Sequence, residues 1–141
     1  VEVEGEESPA ATERQETDPP ASRRVALPGL FSIMIDLEGD MARISRGLWS
    51  ENLDTMAAGG QAVANHPRVP PAEFQRISSI LGSEMNRFRE MDVRVHDLGV
   101  RLAEEAGEGN LDAAVATDAE LRRACVACHS EFRNALRDAI P

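Results

Sequence analysis

The chain has 141 residues and a net charge of −10, and all fifteen of its basic residues are arginine. The length favours a single domain, and an acidic balance without a basic stripe argues against nucleic-acid binding. No apolar run approaches the roughly 20 residues needed to cross a bilayer, so no transmembrane segment is expected.

The first twenty residues hold seven acids (Glu2, Glu4, Glu6, Glu7, Glu13, Glu16, Asp18) against the single base Arg14, with three prolines and no aromatic residue. Such a stretch buries too little apolar area to offset the entropy of ordering it. Residues 1–26 are therefore read as a disordered acidic N-terminal extension, and 27–141 as the folded domain. The chain begins at valine, which fits an exported protein whose signal has been removed.

Helical periodicity runs from Leu27 onward. Leu27, Leu30, Met34, Leu37, Met41, Ile44 and Leu48 recur every three or four residues, the stripe of a helix buried on one face. The pattern predicts a first helix over about 28–49, opened by Pro28. Ser50 is the expected cap of a second helix carrying Leu53, Met56 and Val63. Gly59-Gly60 should loosen that helix, and the run from His66 to Pro71 should end it. Pro71 opens a third, whose stripe of Phe74, Ile77, Leu81, Met85, Phe88, Met91, Val95, Leu98 and Leu102 predicts one long helix to about Gly107, bent at Gly82. Asn110 should cap the fourth, with Leu111, Ala114, Leu121, Cys125, Cys128, Phe132 and Leu136 facing inward. Asp118 interrupts that stripe and predicts a wetter or rotated turn. With no period-two alternation, the expectation is an all-α domain, an antiparallel up-down-up-down four-helix bundle.

Both cysteines fall in one motif, Cys125-Val126-Ala127-Cys128-His129. On a helix, Cys125 and Cys128 stand at i and i+3 and His129 at i+4, so two sulfurs and an imidazole share one side. That order and spacing suit the covalent attachment of one haem c, with Cys125 and Cys128 forming thioethers and His129 serving as the proximal axial ligand of the iron. A zinc site would need two further ligands, for which only His66 and His96 are available. A redox dithiol normally accompanies a βαβ pattern, and a plain disulfide leaves His129 without a role. His96, beside Asp97, reads as a half-exposed histidine paired with a carboxylate, and His66 as a solvent-exposed loop residue. Trp49 is expected to pack at the end of the first helix.

The motif with Ser130-Glu131-Phe132-Arg133, near the C-terminus of a helical bundle, resembles the class II c-type cytochromes: the cytochromes c′ and their low-spin relatives. Phe132 and Arg133 match the aromatic and arginine that follow the motif in that family. The resemblance covers about Leu27 to Asp138. It implies a distal haem face built by the first helix, with Met34, seven residues before Met41, as the candidate sixth ligand. Met41 is the next choice. His/Met ligation raises the reduction potential and suits an electron carrier. The alternative is a five-coordinate iron behind an apolar distal face, with Phe31 as the blocking group and NO or CO as ligands. Ordinary core packing is the competing role for Met34, and structural ion pairing the competing role for Arg133, the other being contact with the haem edge or a propionate. Many members of the family carry an arginine one heptad before the distal position, where this chain has Leu27; Arg23 and Arg24 are out of register.

The functional expectation is a periplasmic single-electron carrier serving redox partner proteins, with a gas-binding cytochrome c′ as the alternative. No general base, nucleophile or substrate pocket is evident, so no enzymatic activity is expected. The periplasmic location follows from where covalent haem is installed. The resemblance also implies a possible homodimer through the first two helices, where Ala57, Ala58, Ala62 and Ala64 form a small-residue surface.

Overall fold

The computed structural model of the chain describes residues 29–139. The expected N-terminal extension, Leu27 and Pro28 lie outside them. The described chain is helical throughout and contains no strand: α1 (Leu30–Trp49), α2 (Leu53–Ala64), α3 (Pro71–Leu81), α4 (Met85–Gly107), α5 (Leu111–Cys128) and a short α6 (Asn134–Arg137). A 3₁₀ turn, Gly82–Glu84, links α3 to α4, and a π-helical turn, His129–Arg133, links α5 to α6. Among the described residues no helix is long and apolar enough to cross a membrane.

The helix ends follow local chemistry. Asn52, rather than the expected Ser50, caps α2: its side chain accepts the Thr55 N–H at 3.1 Å. Ser50 instead closes α1, its hydroxyl donating to the Arg46 carbonyl at 2.7 Å. Asn110 caps α5 as expected, accepting from Ala113 N–H at 3.1 Å. Gly29 has no side chain with which to cap α1, and Glu73 of α3 does so from across the fold, accepting the Leu30 N–H at 2.8 Å. A carboxylate there also meets the positive end of the helix dipole.

The expected third helix is two helices. Gly82 adopts φ 55° and ψ −121°, outside the helical region, a conformation glycine reaches without Cβ strain. The apolar stripe survives the break, with Ile77, Leu81, Met85, Leu98 and Leu102 all buried.

Two cores result. The main one joins α1, α2, α4 and α5 through Ile44, Met56, Val63, Leu98, Leu102, Ala106, Ala114 and Leu121. The second, at one end, joins α3, α4, the π turn and α6 through Ile77, Leu81, Met85, Phe132 and Leu136. Phe132 meets Phe88 edge-on, with centroids 5.5 Å apart, a favoured aromatic geometry.

Glycines set how closely the helices approach. A Cβ on Gly59 would lie 2.6 Å from Ile44 of α1; one on Gly60 would lie 2.9 Å from the Gly99 carbonyl of α4, and one on Gly99 3.0 Å from the Ala64 nitrogen. The Gly59-Gly60 pair, expected to loosen α2, thus admits α1 on one side of the helix and α4 on the other. Ala64 faces α4 and is buried, so it is not part of a free small-residue surface. The α1–α2, α2–α4 and α4–α5 seams are extensive, whereas α1 and α5 touch sparsely.

Candidate functional site

Cys125 and Cys128 occupy the last turn of α5, and His129 opens the π turn. Both cysteines are half-buried free thiols, and His129 is exposed. Cys125 packs against the main core and Cys128 against the end core. The motif therefore straddles the junction of the two.

Burial raises the Cys125 thiol above its ordinary value, with nearby Arg122 pulling the other way. Cys128 is pushed up to about 11, first by burial and then by the carboxylate of Asp92, Cys125 and Glu131. Both thiols are thus protonated at neutral pH, whereas a redox-active dithiol needs a thiolate and a lowered pKa. Among the described residues no group of three or more His, Cys, Asp or Glu side chains converges on a common point, as a zinc site would require.

The π turn has a cause in the sequence. Cys128, Phe132 and Leu136 advance four residues at a time. An α-helix of about 3.6 residues per turn would carry Leu136 some 80° around from Cys128; the wider turn takes up that excess. Three consecutive residues fasten it. The Ser130 hydroxyl donates to the Val126 carbonyl at 2.9 Å. The guanidinium of Arg87 on α4 donates to both carboxylate oxygens of Glu131, holding that carboxyl below its ordinary value. Phe132 is buried against Phe88. Arg133 is exposed.

Asp118 departs from expectation. It is buried at 6% exposure rather than in a wet turn. Arg122 Nε donates to its two oxygens at 3.0 and 3.1 Å. The same guanidinium reaches across to α1, donating to the Ser45 hydroxyl at 2.7 Å. On the neighbouring face, buried Thr117 donates to Glu105 at 2.6 Å and accepts from Arg101 at 3.2 Å, tying α5 to α4. Among the described residues no buried polar side-chain atom lacks a partner.

These bonds orient the motif. Asp118, Arg122, Cys125 and His129 stand at i, i+4, i+7 and i+11, one row along α5, and Arg122 of that row touches α1. On α1, Met34, Glu38, Met41 and Ser45 form the corresponding row, and Ser45 touches α5. Both candidate methionines therefore stand on the α5-facing row of α1. Met41 is half-buried and Met34 is 38% exposed, at the edge. Ile33, which the apolar spacing did not single out, takes the inward position beside Met34.

The remaining candidates lie apart from this row. Phe31 is 70% exposed, and Trp49, expected to pack, is 85% exposed. His96 pairs with Asp97 at 3.1 Å, as its neighbour suggested. His66 is not solvent-exposed: its Nδ1 lies 3.0 Å from the Pro67 carbonyl and its Nε2 3.3 Å from Asp92 on α4. With an oxygen facing each ring nitrogen, only the doubly protonated imidazolium satisfies both. The hydrogen bond to Asp92 accordingly raises its pKa. No local pattern hints at this contact, because residues 66 and 92 belong to different elements. Two surface clefts lie elsewhere, one between α4 and α5 beside Arg94, Arg101 and Glu120, the other at the α1–α2 turn.

The chain matches no family model, no curated protein and no solved structure.

Proposed function

We propose that the chain is a c-type cytochrome that carries single electrons, holding one haem covalently through Cys125 and Cys128 with His129 on the iron. The observation that carries this reading is the pairing of rows across the sparse α1–α5 seam: thiol and imidazole on one side, two methionines on the other. The donor set fits the group. Two free, half-buried thiols at i and i+3 suit two thioethers, and neither has the lowered pKa of a working dithiol. The iron, when bound, supplies reversible one-electron chemistry.

The protein's part is to orient and to exclude water. In this reading the four long helices alternate in direction. The pairs Gly47–Met56 and Ile44–Gly59, then Gly60–Leu102 and Gly99–Ala64, then Glu105–Thr117 and Arg87–Glu131 support that topology. Counting about 1.5 Å per residue along both helices from the Ser45–Arg122 bond puts His129 level with Glu38. Met41 then stands one turn to one side and Met34 one turn to the other. Met34 is the sixth ligand in this proposal, as the resemblance to the class II cytochromes implies, because its edge position leaves the thioether free to turn inward. The unbranched side chain adapts readily, and a thioether together with the His129 imidazole would favour the reduced iron were haem bound. Export to the periplasm, where covalent haem is installed, belongs to the same proposal.

The test is an absorption spectrum of the purified ferric and ferrous protein, wild type against Met34→Ala. The expected outcome is pigment that resists acidic organic solvent, low-spin in both states, with the low-spin signature lost in Met34→Ala. A colourless or extractable pigment refutes the cytochrome. A high-spin ferric wild type that binds CO or NO on reduction replaces the carrier with a gas binder.

A further inference from the structure

The α1–α5 seam is sparse, yet a continuous polar chain crosses it. Arg122 of α5 fastens to buried Asp118 one turn below it, through Nε at 3.0 and 3.1 Å. Its outer nitrogen donates to Ser45 of α1 at 2.7 Å. The Ser45 hydroxyl in turn donates to the Met41 carbonyl at 3.2 Å. Every member is oriented by the one before it. The buried carboxylate fixes the guanidinium, the guanidinium occupies the lone pair of the serine, and the serine proton is left for the α1 backbone. A guanidinium presents its donors in a rigid plane, so this chain sets a distance between helices as well as an attraction.

The bond lies at one end of the paired rows. Arg122 is three residues before Cys125, close enough for its charge to act on that thiol. Ser45 is four residues past Met41 and eleven past Met34. Whatever separation the bridge sets between α1 and α5 is passed along two stiff helices to the space between His129 and the methionines.

We infer that Asp118, Arg122 and Ser45 are positioning residues that set the gap between the distal row of α1 and His129, and so decide how closely a sixth ligand approaches the iron. This rests on the haem reading above. None of the three touches the iron; each acts through the α1 backbone. Burying the Asp118 carboxylate in an otherwise apolar stripe carries a desolvation cost that offsets much of its attraction to the exposed Arg122 guanidinium, and the directional reach of that guanidinium across the seam gives the pair a further role.

The experiment compares Ser45→Ala, Ser45→Thr and Arg122→Gln as holoproteins. Ser45→Ala removes the cross-seam bond and leaves the Asp118–Arg122 pair intact, so the fold is retained even if Arg122→Gln loosens it. The readouts are the axial-ligand signature in ferric electron paramagnetic resonance, the rate of CO association with the ferrous protein, and amide exchange over residues 30–41. Ser45→Ala is expected to shift the signature, speed CO association and lose protection in α1, with Ser45→Thr returning all three towards wild type. Ligand signature and CO rate unchanged in Ser45→Ala and Arg122→Gln, on pigmented protein, overturn the inference, as does a shift that threonine fails to reverse. A wild type without covalent haem instead removes the reading beneath it, and is seen before any variant is made.

Discussion

The two flanks of α1 are built on opposite principles. Towards α2, the backbones come so close that an added methyl on Gly47 would lie 2.7 Å from the Met56 backbone nitrogen. Towards α5, the helices barely touch, and a serine–arginine bond bridges the space. Close-packed backbones leave no room for anything between them and gain dispersion along their whole length. A sparse seam held at one point has little packing to lose, and it is the flank towards which the row of Arg122, Cys125 and His129 and the row of Met34 and Met41 are turned. The lesson is a division of labour: one flank specifies the fold through close packing, and the other is held at a single polar bridge.

That contrast is open to attack on the tight side first. Gly47→Ala sets a methyl against two backbone atoms that cannot swing away, the Met56 nitrogen at 2.7 Å and the Asn52 carbonyl at 2.9 Å. Overpacking of this kind costs about 1–3 kcal/mol, against a helix-propensity gain of about 1 kcal/mol from replacing glycine. A net loss is expected in urea unfolding, with, on the cytochrome reading proposed above, an unchanged absorption spectrum. A spectrum that moved as much as the stability would blur the division. Gly39, also in α1, has nothing within 4 Å of where a methyl would sit. Gly39→Ala should therefore stabilise, by up to about 1 kcal/mol, and the opposite signs of the two substitutions would show that the cost lies in the seam and not in the residue type.

The smallest effect concerns the junction of the cores, where His66 pairs with Asp92. Its pKa is raised above 6.5 in the folded protein. The bond to Asp92 therefore stabilises the fold fully below the unfolded pKa, and that contribution disappears as pH climbs through the higher folded value. Urea midpoints taken from about pH 6 to about pH 8 should fall more for wild type than for His66→Asn. Parallel profiles would mean that the contact contributes nothing to stability.

Much of this architecture was legible from apolar spacing. The stripe from Phe74 to Leu102 located the inward face of two helices, and Gly82 marked a bend where the structure has a full break, because apolar periodicity continues through a tight turn whose glycine leaves the helical region. Asn110 was readable as a cap because its side chain acts on a backbone group three residues away. Asn52 was missed in favour of Ser50, both being good capping residues two positions apart. Gly59-Gly60 misled because helix propensity treats glycine as a local defect, whereas here its worth lies in contacts with other helices. Asp118 misled for the same reason: its partner Arg122 is one turn away, but Ser45, which completes the bridge, is 77 residues distant. At the candidate site, the motif itself was plain in the chain. That Met34 and Met41 share the α5-facing row follows only from that bridge, and the outward turn of Phe31 and Trp49 only from the packing of the helix that carries them.

The wide turn from His129 to Arg133 has one more consequence. A π-helical turn amounts to a single extra residue absorbed within an α-helix. Anywhere else along α5, shortening the chain by one residue would swing everything downstream by about 100° and take Phe132 and Leu136 out of the end core. Inside this turn the same deletion would let ordinary helical bonding resume with both side chains still in place. It is thus the one stretch of this helical run where the polypeptide carries slack, and it begins at His129, the last residue of the motif.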